Sequence, residues 1–206
     1  MVSHYSGNDK TRAIVGASES GNSNVIEYYT IQSLGDTVDF GDRASGQYKY
    51  ATGSVASTTR GLIMGGYDVP TAGTVNNIDF LTIQTLGNTQ EFGDLIMGGS
   101  SQGTASNAIR GLRSSRYPTN DVIDFVTIAT KGNAIDFGNM AVLNEYDGRS
   151  CANPTRYVHS GGSSTDNVIQ FVEIATTGNA ADFGDAATGS HGKYSHCGCS
   201  NGHGGL

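Results

Sequence analysis

The chain contains no tryptophan, only three prolines and three cysteines, and no long apolar run. Each shortage removes a class of protein. Cys151, Cys197 and Cys199 are too few for a disulfide framework. No run approaches the ~18 apolar residues of a membrane-spanning helix, so no membrane insertion is expected. Met1 to Lys10 lack the charged-then-apolar pattern of an export signal, which predicts synthesis in a cytosol or export as part of an assembly. Positive charge is scarce: 12 Lys and Arg stand against 19 Asp and Glu, a net charge of −7. Phosphate backbones are bound by basic surfaces, so no nucleic-acid partner is expected. Nucleophile elbows, phosphate loops and zinc-protease motifs are missing too. Ser, His and Asp fall at no spacing that pairs them, so no catalytic residue and no cofactor is assigned.

What the chain has in quantity is glycine, 30 of 206 residues, and repetition. A 19-residue phrase begins at Asn24, Asn76, Asp121 and Asn167 and aligns without a gap, the copies standing 52, 45 and 46 residues apart. A period of roughly 45–50 residues is that of propeller blades, units that bury an apolar face only by stacking on neighbours. Within the phrase, residues alternate: Ile78, Phe80 and Thr82 share one face, Asp79, Leu81 and Ile83 the other, which reads as a strand. Gly35-Asp36, Gly87-Asn88, Gly132-Asn133 and Gly178-Asn179 follow as hairpin turns. Asp-Phe-Gly, or Glu-Phe-Gly in the second copy, then forms a second short strand. A further hairpin lies upstream, with Arg12, Arg60, Arg110 and Arg156 at equivalent points. Two hairpins per repeat make one four-stranded blade. Phe40, Phe92, Phe137 and Phe183 are expected to be buried equivalently between blades.

The repeated words Thr-Arg-Gly, Gly-Gly, Asn-x-Ile-Asp-Phe-x-Thr-Ile, Gly-Asn and Asp-Phe-Gly-Asp resemble the kelch-like repeat of structural proteins of tailed bacteriophages, especially marine and cyanobacterial ones. The resemblance covers nearly the whole chain. A true kelch blade carries a tryptophan, and a WD40 blade a Trp-Asp mark; with no tryptophan here, "kelch-like" describes layout only. The expected fold is an all-β, four-bladed kelch-like β-propeller forming a single domain over 1–206, with repeats at approximately 12–59, 60–109, 110–155 and 156–206. Residues 192–206 align without a gap on residues 48–62, a fifth copy of a first strand. Residues 194–201 are therefore expected to pair with the blade of residues 12–40 and close the ring, since an open ring leaves exposed strand edges. The rival is an incomplete arc that closes by oligomerising.

Three residue patterns invite a chemical reading. His196, Cys197 and Cys199, with His191 and His203 nearby, have the residue types of a zinc site. But Cys199 shares a column with Val55, Ala105 and Cys151, so these cysteines are read as small buried hydrophobes, and no metal is expected. The acidic column Asp39, Glu91, Asp136 and Asp182 is read as turn residues bonding their own backbone rather than as calcium ligands. The arginine column is expected to pair with that acidic column, in the same or the next blade. Loops differ between repeats and a rigid scaffold places binding residues on loops, so Tyr67, Tyr117 and Tyr146 are the candidate contacts for protein or sugar.

The resemblance implies a non-enzymatic structural component of a bacteriophage particle, a capsid decoration or a tail- or fibre-associated protein. Its partners would be other virion proteins, in multiple copies, and its place the virion, after synthesis in the cytoplasm of an infected host. The alternative is a carbohydrate-binding module for host-surface glycan. An apolar exposed face at one rim favours assembly; aromatic pockets repeated between blades favour sugar binding; clustered acids or a His in the channel favour catalysis.

Overall fold

A computed structural model describes residues 3–5, 11–16, 24–44, 52–68, 71–114, 117–143, 149–161 and 167–186. These form four antiparallel four-stranded sheets and no helix, so among the described residues nothing is long and apolar enough to cross a membrane as a helix. The first sheet holds β1 (Ser3–Tyr5), β2 (Arg12–Gly16), β3 (Val25–Thr30) and β4 (Val38–Asp42). The second holds β5 (Gly53–Ala56), β6 (Arg60–Asp68), β7 (Gly73–Thr82) and β8 (Gln90–Asp94). The third holds β9 (Gly103–Ser106), β10 (Arg110–Ser114), β11 (Val122–Thr127) and β12 (Ile135–Asn139). The fourth holds β13 (Arg149–Ala152), β14 (Arg156–Ser160), β15 (Val168–Glu173) and β16 (Ala181–Asp185). Strands follow sequence order in each sheet, as two consecutive hairpins dictate.

The alternation read in the sequence decides how the sheets stack. Among the described residues there are three apolar cores, and each straddles a pair of successive sheets. Ile14, Ile26 and Phe40 of the first meet Ala56, Ile63, Leu81 and Ile83 of the second. Leu62, Met64, Ile78, Phe80 and Phe92 of the second meet Val126 and Ile128 of the third. Leu112, Ile123, Phe125 and Phe137 of the third meet Tyr157, Val172 and Ile174 of the fourth. One face of each third strand thus looks forward and the other looks back.

Hydrogen bonds repeat across the same joints. The Gly87 N–H donates to the Phe40 carbonyl at 2.8 Å and the Thr89 N–H to the Asp42 carbonyl at 2.9 Å. Gly132 and Ala134 do the same to Phe92 and Asp94, and Gly178 and Ala180 to Phe137 and Asn139. Asn88, Asn133 and Asn179 each accept, through Oδ1, the N–H of Asp42, Asp94 and Asn139 at 3.0 Å. The hairpin turn of one blade therefore extends the last strand of the blade before it. Glycine is required at this approach: a methyl on Gly93 (φ 158°) would overlap the Gly132 carbonyl, whereas one on Gly87 (φ 145°) would meet nothing within 4 Å.

The inner edge runs along β5, β9 and β13. Thr104 Oγ1 accepts from Ser54 N–H at 3.1 Å and donates to Ser54 carbonyl at 3.0 Å, and Ser106 repeats this on Ala56 at 3.3 and 3.0 Å. Both contacts advance in the same chain direction, so corresponding loops of all sheets lie on the same rim.

Two expectations need correction here. Phe40, Phe92 and Phe137 are 2, 3 and 2 % exposed, but Phe183 is 51 % exposed. The reason is physical: a following sheet covers the first three, and none covers the fourth, so the four sheets form an arc that is not closed among the described residues. The arginine column does not pair with the acidic column. Arg12, Arg60 and Arg110 each send Nη1 forward to the carbonyl of Ile83, Ile128 or Ile174 in the next sheet, at 2.8, 3.0 and 2.7 Å. Their guanidinium groups lie 4.7–4.8 Å from the centroids of Tyr28, Phe80 and Phe125 in their own sheets, a cation–π placement. The acidic residues serve turns as read: Asp39, Asp136 and Asp182 accept from the N–H groups of Gly41, Gly138 and Gly184 at 3.0, 3.1 and 2.9 Å. Residues 194–201 lie outside the described residues, and the inner edge of β2 where they were expected is occupied by β1, Ser3 opposite Gly16.

Because Gly87 and Gly93 both sit at positive φ but only Gly93 is enclosed, Gly93→Ala should cost about 1–3 kcal/mol more than Gly87→Ala, the range for overpacking. Urea unfolding of the two variants measures this; equal losses would show that the joint tolerates a side chain.

Candidate functional site

The connections that vary most between repeats fall on the rim where second strands meet third strands and where one sheet hands over to the next. Beneath this rim runs a column of buried polar residues. Asp79, Asp124 and Gln170 occupy equivalent positions in β7, β11 and β15, on the face otherwise lined by Leu81, Val126 and Val172. Each holds the connection that arrives from the preceding sheet. Asp79 Oδ2 accepts from Arg43 Nε at 3.1 Å, and both side chains are 1 % exposed. Gln170 bonds Val142 twice, accepting its N–H at 2.9 Å and donating to its carbonyl at 3.0 Å.

Asp124 acts through Arg113, which is fully buried. Arg113 Nε and Nη2 donate to the two Asp124 oxygens at 2.9 and 2.6 Å. Its remaining donors reach the Met97 carbonyl at 2.9 Å and Gln102 Oε1 at 3.2 Å, and Gln102 Nε2 donates to the Met64 carbonyl of the second sheet. One guanidinium thus fixes a strand, an inner edge and a loop. Isolated buried charge is costly, and this pair stands because nearly every donor is used.

On that foundation the rim is tightly drawn. The ladder of β6 and β7 shifts register between Met64 and Gly66, and residue 99 enters the gap. The Gly66 N–H donates to the Gly99 carbonyl at 2.8 Å and the Gly99 N–H to the Val75 carbonyl at 3.2 Å. Ser100 and Tyr117 then exchange backbone bonds at 3.0 and 2.9 Å. Ile96, Met97, Tyr117 and Leu143 are exposed on this rim at 44, 47, 51 and 55 %.

Of the candidate contacts, Tyr117 lies where expected, at an exposed loop. Tyr67 is corrected: it belongs to β6, opposite Thr74, and is half-buried, because the hairpin continues past the bulge to Asp68 opposite Gly73. The structure ties the two to one rim through residues 99 and 100. Tyr146 lies outside the described residues, as do His191, His196, Cys197, Cys199 and His203. Cys151 is half-buried in β13 opposite Val158. Among the described residues no three His, Cys, Asp or Glu side chains group as metal ligands would.

A second polar cluster lies between the third and fourth sheets. Ser150 and His159 face each other across β13 and β14, with Ser150 Oγ 3.0 Å from His159 Nδ1. Tyr157 shares hydroxyl hydrogen bonds with Ser114 and, at 2.6 Å, with Ser150, and donates to the Gly103 carbonyl at 3.3 Å. Burial pushes the Tyr157 phenol up to about 12, against the lowering effect of Ser114 and Ser150. Sequence reasoning found no Ser–His pairing; the signal was the hairpin itself, since β5–β6 register transferred to β13–β14 places residue 150 opposite residue 159.

No family model matches the chain, and no curated protein sequence does. Among solved structures 216 chains match, so the architecture is well populated and by itself names no function. One, described as "Structure of YjhT", aligns with a TM-score of 0.74 at 8 % identity, over 92 % of this chain and 66 % of that chain. The likeness is one of fold: an all-β arrangement of four-stranded, blade-type sheets, β-propeller-like. The chain spans about two thirds of the length of the solved chain it matches.

Removing one partner of the buried pair strands the other. Arg113→Met should cost about 3–5 kcal/mol, while Arg113→Met with Asp124→Leu should recover most of that loss. Urea unfolding measures both, and amide exchange at residues 97–100 should quicken in both, since Met97 loses its anchor. For Tyr157 the sign follows from its raised value. The folded state holds the phenol proton while the unfolded chain releases it above about 10, so this stability is complete below pH 10 and lost between about 10 and 12. The loss is about 2–3 kcal/mol at most. Tyr157→Phe should flatten that alkaline stretch relative to the unsubstituted protein in unfolding scans.

Proposed function

We propose that this chain is a non-enzymatic structural component of a tailed-bacteriophage particle, a kelch-like propeller unit that docks to other virion proteins through the rim bearing Ile96, Met97, Tyr117 and Leu143. The observation that carries the reading is that exposed apolar group on a rim held rigid from below. Exposed apolar side chains on a rim suit an assembly contact. The opposite rim also exposes Leu34, Leu86 and Ile109, but a loop already fixed by Arg113 loses little freedom on docking. The repeat words quoted above point to the phage setting. A stable anchor buries on the order of 1,200–2,000 Å² in total, more than one such rim offers, so the protein is placed in several copies or through several contacts. Its location is the virion, and closing of the blade arc belongs to the assembled state.

A second reading, binding of host-surface glycan, draws on the exposed Tyr117 and the adjoining Tyr67 on the same rim. Mass spectrometry of purified particles from the source tests the first reading. The chain should be present in fixed stoichiometry to the major structural proteins. Its absence from particles, together with binding of the purified chain to a glycan array that Tyr117→Ala abolishes, would replace that reading with the second.

A further inference from the structure

The three joints between sheets are built from one set of positions, and the two ends of the arc carry the two halves of a fourth. We infer that the fourth sheet of one chain docks on the first sheet of a second copy, head to tail, through the same contacts that join successive sheets within the chain.

The forward half is on the fourth sheet. Phe171 and Phe183 keep the edge-to-face arrangement of the other aromatic pairs, with ring centroids 5.9 Å apart against 6.2 Å for Phe80–Phe92 and 5.7 Å for Phe125–Phe137. Yet Phe183 is 51 % exposed where Phe92 and Phe137 are 3 and 2 %. Gly184 has φ 135°, close to the 140° and 145° of Gly41 and Gly138, but a methyl on it would meet nothing within 4 Å. Arg156 lies 4.5 Å from the Phe171 centroid, placed like the arginines that reach forward. With no isoleucine carbonyl ahead of it, it bonds Glu173 at 2.9 and 3.0 Å, where the other sheets carry threonine. That ion pair is exposed and contributes little, so it leaves Arg156 able to turn forward.

The backward half is on the first sheet. Ile83, Ile128 and Ile174 are fully buried by the sheet before them, while the equivalent Ile31 is 56 % exposed. Gly35 has φ 153°, against 145° and 154° for Gly87 and Gly132. Among the described residues no joint bond links the Gly35 N–H to Phe183. Asp36 stands where Asn88, Asn133 and Asn179 accept a backbone N–H, a role a carboxylate oxygen fills as well. Both halves therefore hold the backbone of a formed joint and lack only each other. A second copy supplies the missing half at each end. The resulting interface is heterologous, which closes into a ring if the rotation permits and otherwise propagates.

Sedimentation or light scattering on the purified full chain, from about 1 to 200 μM, tests this, with circular dichroism confirming the fold of each variant. The chain should associate to a whole multiple of 21.4 kDa. Ile31→Asp and Phe183→Asp, both at exposed positions, should each weaken association at least 100-fold. Mixed together, the two variants should form a heterodimer, because one retains the forward face and the other the backward face. Gly184→Val, which meets no atom within the chain, should weaken association as well. A chain that stays monomeric across this range overturns the proposal; if deletion of residues 187–206 then releases association, that segment of the same chain is the occupant. An association that both Asp variants leave intact, or variants that fail to complement, overturns it too.

Discussion

A turn that completes the strand of its neighbour is the constraint on which the rest depends. Each internal Gly-Asn pair, with the residue that follows it, gives two backbone N–H groups and one side-chain oxygen to the end of the preceding sheet. The bonds fix how far the sheets advance and at what distance they stack. The three apolar cores follow, since each is made half by one sheet and half by the next. No blade owns a core. Stability then resides in nearest-neighbour joints more than in units, as in repeat proteins generally, and an end blade is half-finished by construction.

The same logic explains why charge is buried under one rim. The long connections between sheets have no ladder to hold them. Asp79, Arg113 with Asp124, and Gln170 supply fixed acceptors and donors in their place. An apolar pair of equal volume would fill the space, but it would leave carbonyls such as Met97's without a donor. The buried polar groups act as anchors for loops, and the exposed apolar side chains above them owe their positions to those anchors.

Much of this was legible in the sequence, and the failures are instructive. The gap-free phrase and its alternation correctly assigned Ile78 and Phe80 to one side of a sheet and Leu81 and Ile83 to the other. The Gly-Asn signal located the connections between third and fourth strands. The turn itself closes earlier, where the Thr85 N–H donates to the Thr82 carbonyl, and Gly-Asn serves the preceding sheet instead. Phe183 was misread because periodicity describes a residue's own sheet and not the sheet that must cover it. The arginine column was misread because its partners are carbonyls, which every residue carries and no sequence pattern marks. Tyr67 was placed in a loop because a bulge at Gly65 resets the hairpin and lets the strands run on. Asp79 offered a usable signal, a carboxylate alternating with Leu81 and Ile83 on a face that must be buried.

The four repeats also serve as a comparison internal to the chain. Positions that all four share, the isoleucine, the phenylalanine and the two glycines, are those that build joints. Positions that differ are those beneath and upon the rim: Val15, Ile63, Arg113 and His159 occupy one column of the second strands. Within that column Arg113 bonds the Met97 carbonyl of a connection, Ile63 packs into an apolar core and His159 joins the Ser150 cluster. The joint admits little variation because both of its sides must agree, and the three internal copies must agree with each other. The rim answers to no such symmetry. Whatever distinguishes this chain from others of the same fold is therefore carried by the unlike residues of the rim, and the shared ones explain only why the sheets stand side by side.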